Sequence, residues 1–143
     1  VITVDYPPEE SGEFVQRLNE EEIDCIFLLS PTTEDERIKL IAKQASGFLY
    51  YVSLKGVTGA ANIDIEQVSE NVKNIQKYSD LPVAVGFGVR DPKTAKAVSK
   101  ISDGVVIGSR IVKEIEESDK VEIIPNIKKL MHSMKAAIDS SSA

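Results

Sequence analysis

Pro82-Val83-Ala84-Val85 runs into Gly86-Phe87-Gly88, and Asp91-Pro92 follows after two further residues. A short apolar run that stops on glycines predicts a strand ending in a tight turn. Asp91 predicts an N-cap, and Pro92 suits the first helical position, which needs no amide donor. Ala95 and Val98 give that helix its apolar side. One strand–turn–helix unit is therefore legible here, and the same order recurs on both flanks.

Upstream, Phe48 to Val52 predicts a strand, and the loop from Ser53 to Asn62 leads to a helix with Ile65, Val68, Val72 and Ile75 on one face. Before it, Cys25 to Leu29 is an uninterrupted apolar strand, expected to be covered on both sides as in a parallel sheet. Thr33 and Glu36 are spaced as a capping box, Ile38, Ile41 and Ala45 form a stripe, and Gly47 marks the stop. The chain opens with Val1-Ile2-Thr3-Val4 as a strand, the turn Asp5-Tyr6-Pro7-Pro8, and a helix over Glu9 to Leu18. Downstream, Val105-Val106-Ile107 ends in Gly108-Ser109-Arg110 at the start of a short helix. A last helix carries Ile127, Leu130, Met131, Met134 and Ile138, and Asp139 to Ala143 is a polar tail. The alternation predicts an α/β fold, one unit of four βα modules around a parallel sheet. Because residue 1 already lies in a strand, 143 residues are the length of one domain but are not expected to be a whole one.

Charge and composition narrow the function. With 17 Lys+Arg against 23 Asp+Glu the net charge is −6, which argues against nucleic acid as a partner. An apolar fraction of 42% excludes disorder, and no apolar run is long enough to span a membrane. A single cysteine excludes an internal disulfide framework and predicts a reducing, cytoplasmic home. Cys25 sits in an apolar strand and reads as packing. His132, the only histidine, has no partners for a metal site or a nucleophilic pair, so no metal is expected.

Three glycine turns carry the chemistry: Gly56-Val57-Thr58-Gly59, Gly86-Phe87-Gly88 and Gly108-Ser109. In a parallel sheet all three fall at the carboxyl ends of strands, where such folds hold ligands. Glycine lets backbone approach a ligand, and bare amides at a helix N-terminus bind anions. A phosphate monoester is the most economical ligand, with Gly59, Gly88, Gly108 and Ser109 as donors. A dinucleotide fingerprint fails, because its third glycine falls on Asp91, and the P-loop lysine is absent. Asp5 ends the first strand on the same rim, where it either joins the site or caps the turn before Pro7-Pro8.

These stretches resemble the C-terminal half of the tryptophan synthase alpha subunit family. The resemblance is carried by Val4-Asp5-Tyr6-Pro7 with Glu9-Glu10-Ser11, by Tyr50-Tyr51-Val52-Ser53 leading to Gly56-Val57-Thr58-Gly59-Ala60, by Gly86-Phe87-Gly88-Val89, and by Gly108-Ser109-Arg110-Ile111-Val112-Lys113. It implies a TIM (β/α)8 barrel of which residues 1–138 supply the last four βα units, followed by the tail 139–143. It implies an aldol-type lyase that cleaves indole-3-glycerol phosphate to indole and glyceraldehyde 3-phosphate in tryptophan biosynthesis.

By the same resemblance Gly59, Gly88, Gly108 and Ser109 form the phosphate cradle, Tyr50 and Phe87 line the substrate pocket, and Thr58 is the threonine of the mobile loop. Asp5 lies beside the face for the beta subunit, the partner in an αββα heterotetramer. No cofactor is implied here; pyridoxal phosphate belongs to that beta subunit. Leu54 departs from the arginine many members carry. The family's catalytic glutamate and aspartate belong to earlier strands, so no catalytic residue is expected in this chain and the segment alone is expected to be inactive. Two other readings remain at this point: another phosphate-binding barrel enzyme, an isomerase or cyclase, and a non-enzymatic half-barrel that dimerises through its open edges.

Overall fold

The structure is a computed structural model that describes residues 1–4, 6–53, 64–86 and 88–140. Four parallel strands lie side by side in chain order: β1 (Leu28–Leu29), β2 (Leu49–Val52), β3 (Val83–Gly86) and β4 (Gly104–Val106). Between them run α2 (Asp35–Gln44), α3 (Ile65–Ile75) and α4 (Pro92–Ser99), while α1 (Gly12–Glu20) precedes β1 and α5 (Ser109–Glu117) and α6 (Ile123–Asp139) follow β4. This is the parallel βα order expected from the resemblance to a (βα)8 barrel.

Burial alternates along the strands, as a two-residue period requires. Leu49, Tyr51, Val83 and Val85 are buried, and they join Ile38, Ile41, Val68, Val72, Ala95, Val98 and Met134 from the helices in one core. Tyr50, Val52 and Ala84, on the opposite face, are only half-buried. In the run Cys25 to Leu29, from which cover on both faces is expected, Cys25, Ile26, Phe27 and Leu29 are buried and Leu28 is half-buried. In a closed barrel the inner face is filled by side chains from all eight strands, of which four are present here.

The first apolar run pairs less than expected. Ile2 forms an isolated parallel bridge with Ile26, fixed by Thr3 N to Ile26 O at 3.1 Å and Ile26 N to Val1 O at 2.8 Å. Val1, Ile2 and Val4 remain exposed. The strand read at Cys25 to Leu29 is correspondingly shortened to β1, although Cys25, Ile26 and Phe27 are buried.

Two helix starts also differ. α1 begins at Gly12 and not at Glu9, because residues 7–11 form turns in which Glu10 N reaches Pro7 O at 3.0 Å and the buried Ser11 hydroxyl donates to Pro8 O at 3.0 Å. The capping box at Thr33 and Glu36 does not form. The Thr33 hydroxyl instead accepts from Ser30 N at 2.9 Å, and Glu36 pairs with Lys39 at 2.5 Å. α6 runs through Asp139, whose carboxylate meets Lys135 Nζ at 2.8 Å, so its last residue is the first of the stretch read as tail. α4 matches its reading: Asp91 Oδ1 accepts from Thr94 N at 2.8 Å, with Pro92 in the first turn.

Candidate functional site

The register sets the rim. Val52 pairs with Gly86 and Gly86 with Val106, so β2, β3 and β4 end level with one another. Ser53 extends this line: its amide and its hydroxyl both donate to Gly86 O, at 3.1 and 3.0 Å. That buried double contact anchors the residue from which the Ser53–Asn62 loop departs. Sequence reading placed Ser53 in the loop and gave it no role; a serine directly after an apolar strand was the only available signal.

Gly86 also makes room for Tyr50. A Cβ on Gly86 would lie 2.5 Å from Tyr50 Oη and 2.6 Å from its Cε2, so the phenol ring occupies the space a side chain would fill. Tyr50 is half-buried on the face of β2 turned away from the core. Two residues beyond β3, Gly88 has a φ of +80°, a left-handed conformation that glycine adopts without steric cost.

At the end of β4, Gly108 is the N-cap of α5 and Ser109 its first residue. No side chain caps this end, and a Cβ on Gly108 would meet nothing within 4 Å. Uncapped first-turn amides at a helix N-terminus carry a partial positive charge and are unpaired donors. Chemically the site can receive an anion through main-chain N–H groups and the Ser109 hydroxyl without a charged side chain. Beside Ser109 runs an open groove whose other walls are Arg90, Arg110, Lys113 and Glu117. Arg90 and Lys113 carried no assigned role in the sequence reading.

The structure thus brings Gly88, Gly108 and Ser109 to neighbouring strand ends, with Tyr50 on β2 reaching Gly86. Asp5, Leu54, Gly56, Thr58, Gly59 and Phe87 lie outside the described residues. The Thr94 amide holds the Asp91 carboxyl below its usual range, and burial pushes the Tyr51 phenol up against an opposing hydrogen bond from Asn71. Hydrogen bonds from Asn74 and then Tyr78 lower Asp35. Cys25 is fully buried and His132 exposed on α6. Among the described residues no cluster of three His, Cys, Asp or Glu could hold a metal, and no helix is long and apolar enough to cross a membrane.

A parallel sheet in chain order, with a helix after each strand and glycine turns at its carboxyl ends, defines a segment of a (βα)8-barrel protein. A family model described as "Tryptophan synthase alpha chain" matches residues 1–139. The chain belongs to the tryptophan synthase alpha chain family. It is 54% identical over 138 residues to the tryptophan synthase alpha chain of Janthinobacterium sp. (strain Marseille), covering 96% of this chain and 52% of that one. To the alpha chain of Nitrosomonas europaea it is 49% identical over 142 residues, covering 99% and 52%. Among solved structures, tryptophan synthase subunit alpha from Legionella pneumophila str. Paris superposes with a TM-score of 0.83 at 34% identity, covering 97% of this chain and 51% of that one. A Mycobacterium tuberculosis tryptophan synthase structure gives 0.82 at 32% identity, covering 96% and 50%. The chain spans about half the length of the curated relatives it matches.

Proposed function

We propose that this chain is the phosphate-holding half of an alpha subunit that cleaves indole-3-glycerol phosphate to indole and glyceraldehyde 3-phosphate. One observation carries the reading. Gly108 and Ser109 open α5 at the carboxyl end of β4, with no side-chain cap and free space over Gly108. A phosphate monoester fits that geometry, because its oxygens accept from main-chain amides and its charge meets the positive end of the helix.

Gly59, Gly88, Gly108 and the Ser109 amide and hydroxyl hold the phosphate, and Tyr50 and Phe87 line the pocket that receives the rest of the substrate. Thr58 acts when its loop closes. These residues bind and orient; they do not move the protons. Holding the phosphate presents the indole end of the substrate to a glutamate and an aspartate in the other half of the barrel, and fixed orientation lowers the entropic part of the barrier. The subunit needs no cofactor of its own. Indole passes to a pyridoxal-phosphate beta subunit in an αββα heterotetramer, with Asp5 beside the face it meets, and the assembly works in the cytoplasm. The family match over residues 1–139 favours this reading over another phosphate-binding barrel or a dimerising half-barrel.

Indole release from indole-3-glycerol phosphate tests it directly. The full-length protein is expected to release indole, and a clean preparation of the 143-residue chain to release none, since the acid/base pair is in the other half. No indole from the full-length protein with its beta subunit present overturns the reading; turnover by the short chain overturns the assignment of chemistry to the other half.

A further inference from the structure

The groove beside Ser109 carries more positive charge than a main-chain cradle requires. Its walls are Arg90, Ser109, Arg110, Lys113 and Glu117. Two of its three cations are paired along α5: Arg110 Nη2 lies 2.6 Å from Glu114 Oε2, and Lys113 Nζ 3.6 Å from Glu117 Oε1. Arg90 is exposed and has no ion pair among the described residues. Arg110 keeps its Nη1 buried without an acceptor, an arrangement that a native structure rarely leaves unexplained. The Arg90 guanidinium therefore offers accessible, uncommitted donors at the wall that Ser109 shares.

The setting gives this meaning. A chain of net charge −6 repels a dianion at long range, and the amides of Gly88, Gly108 and Ser109 are neutral dipoles that position a phosphate without offsetting that repulsion. A concave, locally positive groove does offset it, and a guanidinium forms stronger, charge-assisted bonds to phosphate oxygens. Arg90 comes from the turn after β3 and Ser109 from the end of β4, so the groove straddles the two neighbouring strand ends.

We propose that Arg90 is a specificity-determining residue of the phosphate site: sharing a groove with Ser109, it draws in a dianionic phosphate monoester and discriminates against singly charged analogues. The inference rests on the reading in which Gly88, Gly108 and Ser109 hold the phosphate of the substrate.

The test uses the full-length enzyme and two competitive probes, glycerol 3-phosphate and its singly charged isostere glycerol 3-sulfate, over a range of ionic strength. Arg90→Gln is expected to weaken glycerol 3-phosphate about tenfold, the scale of one charge-assisted bond, and the sulfate far less. It also flattens the salt dependence of kcat/KM, with the loss falling in KM, and Arg90→Lys recovers part of it. Lys43→Gln, which removes the same charge from α2 outside the groove, has no such effect. If Arg90→Gln matches Lys43→Gln while Ser109→Ala weakens the phosphate probe, the role of Arg90 is overturned and the phosphate reading stands. If Ser109→Ala and Gly108→Val both leave that probe unaffected, the phosphate reading itself falls.

Discussion

The phenol of Tyr50 lies against Gly86, in the space a Cβ would occupy at 2.5 Å from Oη. Because Gly86 O also accepts both bonds from Ser53, this glycine joins β2, β3 and the start of the Ser53–Asn62 loop at one point. Gly86→Ala is expected to destabilise the full-length protein by about 1–3 kcal/mol, the usual cost of forcing atoms into occupied space. Adding Tyr50→Ala removes the obstacle, so a double-mutant cycle by urea unfolding should show the two changes coupled by at least about 1 kcal/mol in the compensating sense. Simple additivity would show that the ring and the glycine do not interact.

Gly108 is the opposite case. Its φ of −113° suits any residue and the space over it is empty, so Gly108→Ala should change stability by no more than about 1 kcal/mol, an N-cap preference. A larger group there fills the space assigned to the substrate phosphate. Gly108→Val is expected to raise KM for indole-3-glycerol phosphate at least about tenfold, the order of one lost hydrogen bond to a charged group. Thermal unfolding and steady-state kinetics on the same preparation separate the two effects.

Gly88 makes a third, purely conformational point. At φ +80° an alanine is strained, and Gly88→Ala should cost about 1–2 kcal/mol in chemical denaturation. An unchanged midpoint would mean that the turn after β3 relaxes freely.

Asp91 links stability to pH. Its carboxylate accepts from Thr94 N, and that bond depresses its pKa in the folded state. Stability from a depressed carboxyl is present above the unfolded pKa of about 3.9 and is lost as pH falls through the lower folded value. Asp91→Ala should therefore cost about 1 kcal/mol near pH 7 and progressively less below pH about 4, read as the gap between the two melting curves.

Asp35 behaves in the same direction for a different reason. Its two oxygens accept from Asn74 Nδ2 at 2.8 Å and Tyr78 Oη at 2.9 Å, tying α2 to the end of α3, and these bonds lower its pKa. Asp35→Asn should unfold at lower temperature than the parent at neutral pH, with the two converging as pH falls below the usual carboxylate range. A gap that stays constant with acid would rule out the charged carboxylate as the source.

Much of this architecture was readable because local chemistry and tertiary demand agree. Asp91-Pro92 starts a helix in any context, and the spacing of Ile65, Val68, Val72 and Ile75 leaves one face to bury; Val68, Val72 and Ile75 are buried and Ile65 packs against them. Thr33 misled because its hydroxyl had two local partners, the α2 amides and Ser30 N, and the turn took it. The Val1–Val4 run has strand-forming residues but only one bridge, because strand length depends on the neighbour and not on propensity.

For the site the division is sharper. The residue types at the strand ends, the glycines and Ser109, are a property of the sequence, since backbone approach and a bare helix N-terminus require them wherever they sit. Their assembly is not. The pairing of Val52 with Gly86 and of Gly86 with Val106 sets three strand ends level, lays Tyr50 over Gly86, clamps Ser53, and opens the Arg90–Ser109 groove. Those relations join residues far apart along the chain, and a one-residue change of register would turn every side chain of a strand to the other face. Spacing along the chain names the parts, and only the packed sheet decides which of them meet.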